Sequence, residues 1–156
     1  MHQLLGEYEC KVDTKGRLRL PTDLLGQLPE GERTKFILIR GFEKYLKLYT
    51  TTAWQKIMAD MDSLSDYKKE ERDFVRYFAR GAQPVELDSA DRMLLGRRLK
   101  EYAGIESDVV INAFGSRIEI WSAEQYDQML NNEPENFSEM AERVMGGGAR
   151  APKGDA

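Results

Sequence analysis

Apolar and polar positions along this chain change period several times, and each change marks an element. "GEYECKVD" (6–13) alternates as a half-buried strand does, and "RLRL" (17–20) resumes the alternation after a turn. A brief helix carrying Leu24, Leu25 and Leu28 follows. A hairpin is then expected, with Ile37 and Ile39 on the inward face before the turn, Leu46 and Leu48 after it, and Lys47 outward. Next, Trp54, Ile57, Met58 and Met61 recur at helical spacing behind "TAWQ", which has the hydroxyl-to-Gln spacing of a capping box. Over 63–82, Tyr67, Glu71, Phe74, Val75 and Phe78 share one face of a helix and Lys69, Arg72, Arg76 and Arg80 the other, with Gly81 as its stop.

The pattern then repeats. Setting Asp13 on Asp88, an offset of 75, aligns Val12 with Leu87, Arg17 with Arg92, Leu20 with Leu95 and Leu24 with Leu99. Downstream the offset becomes 72, the loss falling where "PEGERTK" is answered by "GIES". There Ile39 matches Ile111, Phe42 Phe114, Leu46 and Leu48 Ile118 and Ile120, Tyr49 Trp121, and Trp54 Tyr126. The second copy has its own brief helix (Leu99, Tyr102, Ala103), and "SAEQ", with the same hydroxyl-to-Gln capping-box spacing, opens a helix with Tyr126, Met129 and Leu130. About 50 residues of short strands bury too little to be stable alone, so the copies should pack on each other. The expected fold class is α+β, a mainly β core with pseudo-twofold symmetry and peripheral helices. The expected organisation is a first repeat over 4–61, a connecting helix over 62–81, a second repeat over 82–131, a short C-terminal helix over 132–145 and a disordered tail over 146–156.

Charge sharpens this picture. A net charge of −4 argues against nucleic-acid binding by bulk electrostatics, so any such binding needs a local basic patch. Residues 11–19 offer one, with Lys11, Lys15, Arg17 and Arg19 against Asp13, whereas 124–142 are acidic. No apolar run approaches the ~20 residues that span a bilayer, and no secretory signal opens the chain, so a cytoplasmic location and no membrane partner are expected, with nucleoid association where DNA is the partner. One cysteine, Cys10, and one histidine, His2, make neither a disulfide nor a zinc site. Cys10 reads as a small buried strand residue and His2 as a mobile terminus.

Three readings compete for the turn "DTKGR" and its echo "DSADR". In the structural one, Asp13 accepts backbone N–H groups, Gly16 supplies a positive φ, and Arg17 closes the loop as a bidentate ion pair. In the nucleic-acid reading, Lys15, Arg17 and Arg19 meet phosphates or guanine edges, and duplication offers paired loops to repeated half-sites. Catalysis is the weakest, because no histidine, glycine-rich phosphate loop or GxSxG elbow accompanies the pair. Neither a cofactor nor a small-molecule substrate is expected.

"GEYECKVDTKGRLRLPTDL", "ERDFVRYFARGA" and "VELDSADRMLL" together resemble the MraZ family of bacterial transcriptional regulators over roughly residues 4–145. The family carries a D-x-x-x-R motif in each of two tandem AbrB-like (SpoVT/AbrB) domains. The resemblance implies a duplicated swapped-hairpin AbrB-like barrel, a ring-shaped homo-oligomer, and binding to short direct repeats in double-stranded promoter DNA upstream of the division and cell-wall gene cluster, its own gene included. A repressor is the expected sign. The paired motifs fall on Asp13 with Arg17 and on Asp88 with Arg92, and the DNA contacts implied are Lys15, Arg17, Arg19 and Arg92, with Asp13, Gly16 and Asp88 shaping the turns. The second copy departs from the pattern at Asp91, where glycine is common, and an acid beside Arg92 should weaken its pull on phosphate. The alternative is an oligomeric structural protein whose turns build ring contacts instead of meeting DNA.

Overall fold

A computed structural model of the chain describes residues 3–132 and 136–146. Two compact units divide it, Met1–Tyr126 and Asp127–Ala156.

In the first unit, β1 (Leu4–Lys11), β2 (Arg17–Arg19) and α1 (Thr22–Gly26) precede the hairpin β3 (Lys35–Arg40) and β4 (Leu46–Thr50), then α2 (Thr51–Asp62) and α3 (Lys69–Ala79). The second copy repeats the order as β5 (Gln83–Glu86), β6 (Arg92–Leu94), α4 (Arg97–Ala103), β7 (Asp108–Gly115), β8 (Arg117–Ser122) and α5 (Ala123–Asn131). Neither copy closes its own sheet. The six-stranded sheet runs β1-β7-β8-β4-β3-β5, so the lead strand of each copy pairs with the hairpin of the other. The two hairpins meet where Lys47 faces Glu119, residues that correspond in the duplication.

The core lies inside this exchange. Leu18, Leu38, Leu46, Ile111 and Ile120 are fully buried, with Leu20, Leu24, Met93, Leu95 and Leu99 packed among them from both copies. Each such side chain contributes about 1.5–3 kcal/mol relative to exposure, and the cluster draws on residues of both copies.

Three expectations change at the level of packing. Phe36 and Leu38, not Ile37 and Ile39, face the main core beside Leu46 and Leu48, because the register sets Leu38 opposite Leu48 and Ile37 opposite Tyr49. Ile39 is nonetheless fully buried. Helices α2 and α4 pack over β3, so both faces of "FILI" are apolar and alternation alone cannot choose between them. Helix α2 is capped by Thr50 and not by Thr52, the Ala53 N–H donating to Thr50 Oγ1 at 3.2 Å, whereas in the second copy Ser122 caps as "SAEQ" predicts, the Gln125 N–H donating to Ser122 Oγ at 3.0 Å. Thr50 and Ser122 correspond at the offset of 72 and are both buried.

The charged helix is the third. It spans Lys69–Ala79, while Ser63 caps α2 with its hydroxyl donating to Asp60 O at 2.7 Å. Tyr67 therefore lies outside the helix and is 95 % exposed. Gly81 has φ +79° at its end. Phe78 stacks on Trp54 and Phe74, and Trp54 leans on Tyr49, as Tyr126 leans edge-on against Trp121 in the second copy.

In the second unit, α6 (Phe137–Met145) is amphipathic, with Phe137, Met140, Ala141, Val144 and Met145 at helical spacing. His2, and the tail from residue 147 onward, lie outside the described residues.

Candidate nucleic-acid interface

The two Asp-to-Arg turns are built alike, bond for bond. Asp13 Oδ1 accepts the backbone N–H groups of Lys15 (2.9 Å) and Arg17 (2.8 Å), and Oδ2 accepts Arg17 Nε–H at 2.9 Å. Asp88 repeats this with Ala90 (2.9 Å), Arg92 (3.0 Å) and Arg92 Nε (2.9 Å). Backbone bonds close each loop, from Asp13 N to Arg17 O and from Asp88 N to Arg92 O, both 2.9 Å. A carboxylate so supplied with donors resists protonation: the Arg17 backbone N–H, above all, holds Asp13 below the ordinary carboxylate range, and the Arg92 backbone N–H does the same for Asp88. Gly16 takes φ +82° at the fourth position of its turn, and Asp91 takes φ +63° at the same place in the other.

The ion pair is not bidentate. Oδ1 is occupied by backbone, so each arginine closes its loop through Nε alone. Among the described residues, the terminal nitrogens of Arg17 and Arg92 have no hydrogen-bond partner, and both side chains are about a third exposed, 31 % and 34 %. The structural and nucleic-acid readings thus use different edges of one guanidinium. The Nε edge holds the loop, while the outer fork, the edge suited to phosphate or guanine, is spare.

The loops are joined by a two-stranded ribbon. Antiparallel β2 and β6 pair Arg17 with Leu94, Leu18 with Met93 and Arg19 with Arg92. Leu18 and Met93 correspond in the duplication, so the pairing is reciprocal about them. Two further bonds lace each strand to the opposite turn, from Leu20 N to Asp91 O and from Leu95 N to Gly16 O, both 2.9 Å. Strand alternation sends Leu18 and Met93 into the core and leaves Arg17, Arg19, Arg92 and Leu94 on the outward face. Arg19 and Arg92 are direct cross-strand neighbours. Like charges so opposed destabilise a ribbon, and the arrangement suits a face that meets a polyanion.

The structure therefore brings all four predicted contacts to one place: Lys15 exposed at a turn tip, and Arg17, Arg19 and Arg92 on the ribbon. It also adds two residues. Lys100 on α4 reaches toward the first turn, where a Cβ on Gly16 would lie 3.8 Å from Lys100 Nζ and 3.6 Å from Leu94 Cδ1. The basic run Arg97, Arg98, Lys100 directly after β6 was the available signal for it. Leu94, 57 % exposed between arginines, carried no signal without the register.

Other chemistry is thinly represented. Among the described residues no group of three or more His, Cys, Asp or Glu could hold a metal ion. Cys10 is half-buried on β1, and burial pushes its thiol above the ordinary value, away from a reactive thiolate. No described helix is long and apolar enough to cross a membrane.

The family model described as "MraZ protein, putative antitoxin-like" matches the chain twice, over residues 3–77 and 78–146, one match for each Asp-to-Arg turn. The chain belongs to the MraZ family. Among the MraZ relatives, the transcriptional regulator MraZ of Christiangramia forsetii is 39 % identical over 147 residues, covering 94 % of this chain and 95 % of its own. That of Cytophaga hutchinsonii is 38 % identical over 140 residues (90 % and 93 %), and that of Thermoanaerobacter pseudethanolicus 38 % over 141 residues (90 % and 96 %). MraZ proteins are transcriptional regulators and not enzymes.

Proposed function

We propose that this chain is a sequence-specific DNA-binding regulator, a repressor, that binds short repeats in double-stranded promoter DNA upstream of the division and cell-wall genes, its own promoter included. The observation that carries the reading is the reciprocal ribbon, which sets Arg17, Arg19 and Arg92 on one outward face with two guanidinium forks unspent. The exchange of lead strands between copies supports a swapped-hairpin AbrB-like barrel with repeats over 4–61 and 82–131. Exposed apolar side chains away from the ribbon, Leu5 opposite Phe114 on β1 and β7, and Phe42 beside half-buried Phe78, support self-association into a ring. A ring presents several ribbons to repeated sites, and avidity offsets the net charge of −4.

The test is an anisotropy titration of the fragment upstream of the gene against a shuffled fragment, at several salt concentrations. Preferential binding should weaken steeply with salt, by roughly 0.9 in log K per log salt for each phosphate neutralised. Arg17→Ala should cost about 1–3 kcal/mol, and Arg92→Ala less, since Asp91 stands beside it and Lys100 reinforces the other turn. Unchanged promoter binding by folded Arg17→Ala removes that arginine from the interface. No preference for the fragment, together with an oligomer dissolved by Asp13→Ala and Arg17→Ala, favours a purely structural use of the turns.

A further inference from the structure

Leu94 is the one outward-facing residue of the ribbon that carries no charge. By the duplication it stands where Arg19 stands in the first copy, and by register it stands directly opposite Arg17. Its side chain is 57 % exposed although the fully buried core lies one residue away at Met93 and Leu95. Its backbone is held through its neighbour, Leu95 N–H donating to Gly16 O at 2.9 Å, and by Gln83 Nε2–H donating to Leu94 O at 3.3 Å. The leucine is therefore an apolar point inside a cationic face, two residues from Arg92, opposite Arg17 and beside Gly16.

Resting on the DNA-binding reading above, we infer that Leu94 is a specificity-determining residue that contacts the C5-methyl group of a thymine in the major groove. Phosphate offers nothing to an aliphatic side chain. Of the base edges in the major groove, only thymine presents an apolar group, and apolar side chains are its ordinary partners. Arginine forks, by contrast, suit the O6 and N7 acceptors of guanine. The ribbon's two ends then read differently: Arg19 opposite Arg92 favours a guanine-bearing step, while Leu94 opposite Arg17 favours a step that also contains thymine. A protein with a duplicated fold gains from this asymmetry an orientation on its site, which two identical ends would not supply.

The decisive experiment uses the fragment upstream of the gene, prepared once with thymine and once with deoxyuridine throughout. Deoxyuridine pairs as thymine does and lacks only the methyl. Wild type should bind the uracil fragment about fourfold more weakly per methyl contact, the value of one methyl removed from water. Leu94→Ala should lose about the same on thymine DNA and suffer little further penalty on uracil DNA. Leu94→Arg, which restores the residue type of the first copy, should bind both fragments alike and at least as tightly as wild type binds the thymine fragment. A uracil penalty that persists undiminished in Leu94→Ala overturns the inference, because the methyls then act elsewhere or through duplex shape. So does the absence of a penalty in wild type. If wild type shows no preference for the thymine fragment over a shuffled one, the DNA-binding reading itself falls, and this inference with it.

Discussion

In the turn from Asp13 to Arg17 the residue that must adopt a positive φ is glycine, at +82°, whereas in the turn from Asp88 to Arg92 it is Asp91, at +63°. All else in the backbone agrees: the same carboxylate oxygens accept the same donors, and the same Nε closes the loop. What differs is the load each turn carries outward. The first bears Lys15 at its tip, Arg19 two positions along, and Lys100 approaching from α4. The second bears Ser89, Ala90 and an acid, and ends on Leu94. Duplication kept the hydrogen-bond scaffold and let the outward positions diverge, which is the expected result if the scaffold makes the fold and the outward positions make the contact.

The largest effect should come from the pair about which the two halves are reciprocal. Leu18 and Met93 face each other across the ribbon at 0 % and 1 % exposure. Leu18→Ala and Met93→Ala should each cost about 2–5 kcal/mol by urea unfolding, within about 1 kcal/mol of one another. Each should also unfold both copies in a single transition, since neither copy completes a sheet alone. Two separate transitions would show that the copies are independent units.

Much of this was legible in the chain, and the unread part has a common cause. The duplication, the elements and the two Asp-to-Arg turns follow from local patterns, because turn residues and alternating strands announce themselves over a few positions. Which strand pairs with which does not. The exchange of β1 and β5 between copies and the opposition of Arg19 to Arg92 are set by partners 45 or more residues distant, and the choice of Phe36 and Leu38 over Ile37 and Ile39 by the helices packed over β3. The cap at Thr50 was readable in principle. Its correspondence to Ser122 at the offset of 72 was the clue, and the more familiar spacing of "TAWQ" obscured it.

A smaller effect should separate the turns by their positive-φ residues. Gly16→Ala places a Cβ where contacts are ordinary, the nearest atom being 3.6 Å away, so its cost is that of the left-handed backbone, about 1–2 kcal/mol. Asp91→Gly should do the reverse and stabilise by up to about 1 kcal/mol, part of the relief being offset by the greater freedom of glycine in the unfolded chain. It should also strengthen promoter binding by removing a negative charge beside Arg92. Asp91→Asn separates the two effects, since it removes the charge and keeps the side chain. If Asp91→Gly destabilises, Asp91 contributes something to its turn that Gly16 does not, and the equivalence of the scaffolds fails at that position.

The smallest effect tests whether the carboxylates are as alike as their bonds. Asp13 and Asp88 are both held below the ordinary carboxylate value in the folded protein, each mainly by the backbone N–H of the arginine four residues on. A depressed folded value means that the stabilising contribution is complete above the unfolded carboxylate value and is lost as pH falls through the lower, folded one. Stability from this source should therefore be flat from neutral pH down to the ordinary carboxylate range and decline only below it. Both groups are solvent-facing, so screening keeps the decline shallow. The measurement is urea unfolding between neutral and strongly acidic pH, comparing wild type with Asp13→Asn, Asp88→Asn and the double variant. Each single variant should flatten the acid limb by the same amount and the double variant by their sum, because the two carboxylates do not share a donor. An acid limb that changes for one substitution and not the other would mean that matching hydrogen-bond lengths conceal unequal turns, and that the difference between the halves begins in the scaffold as well as in what it carries.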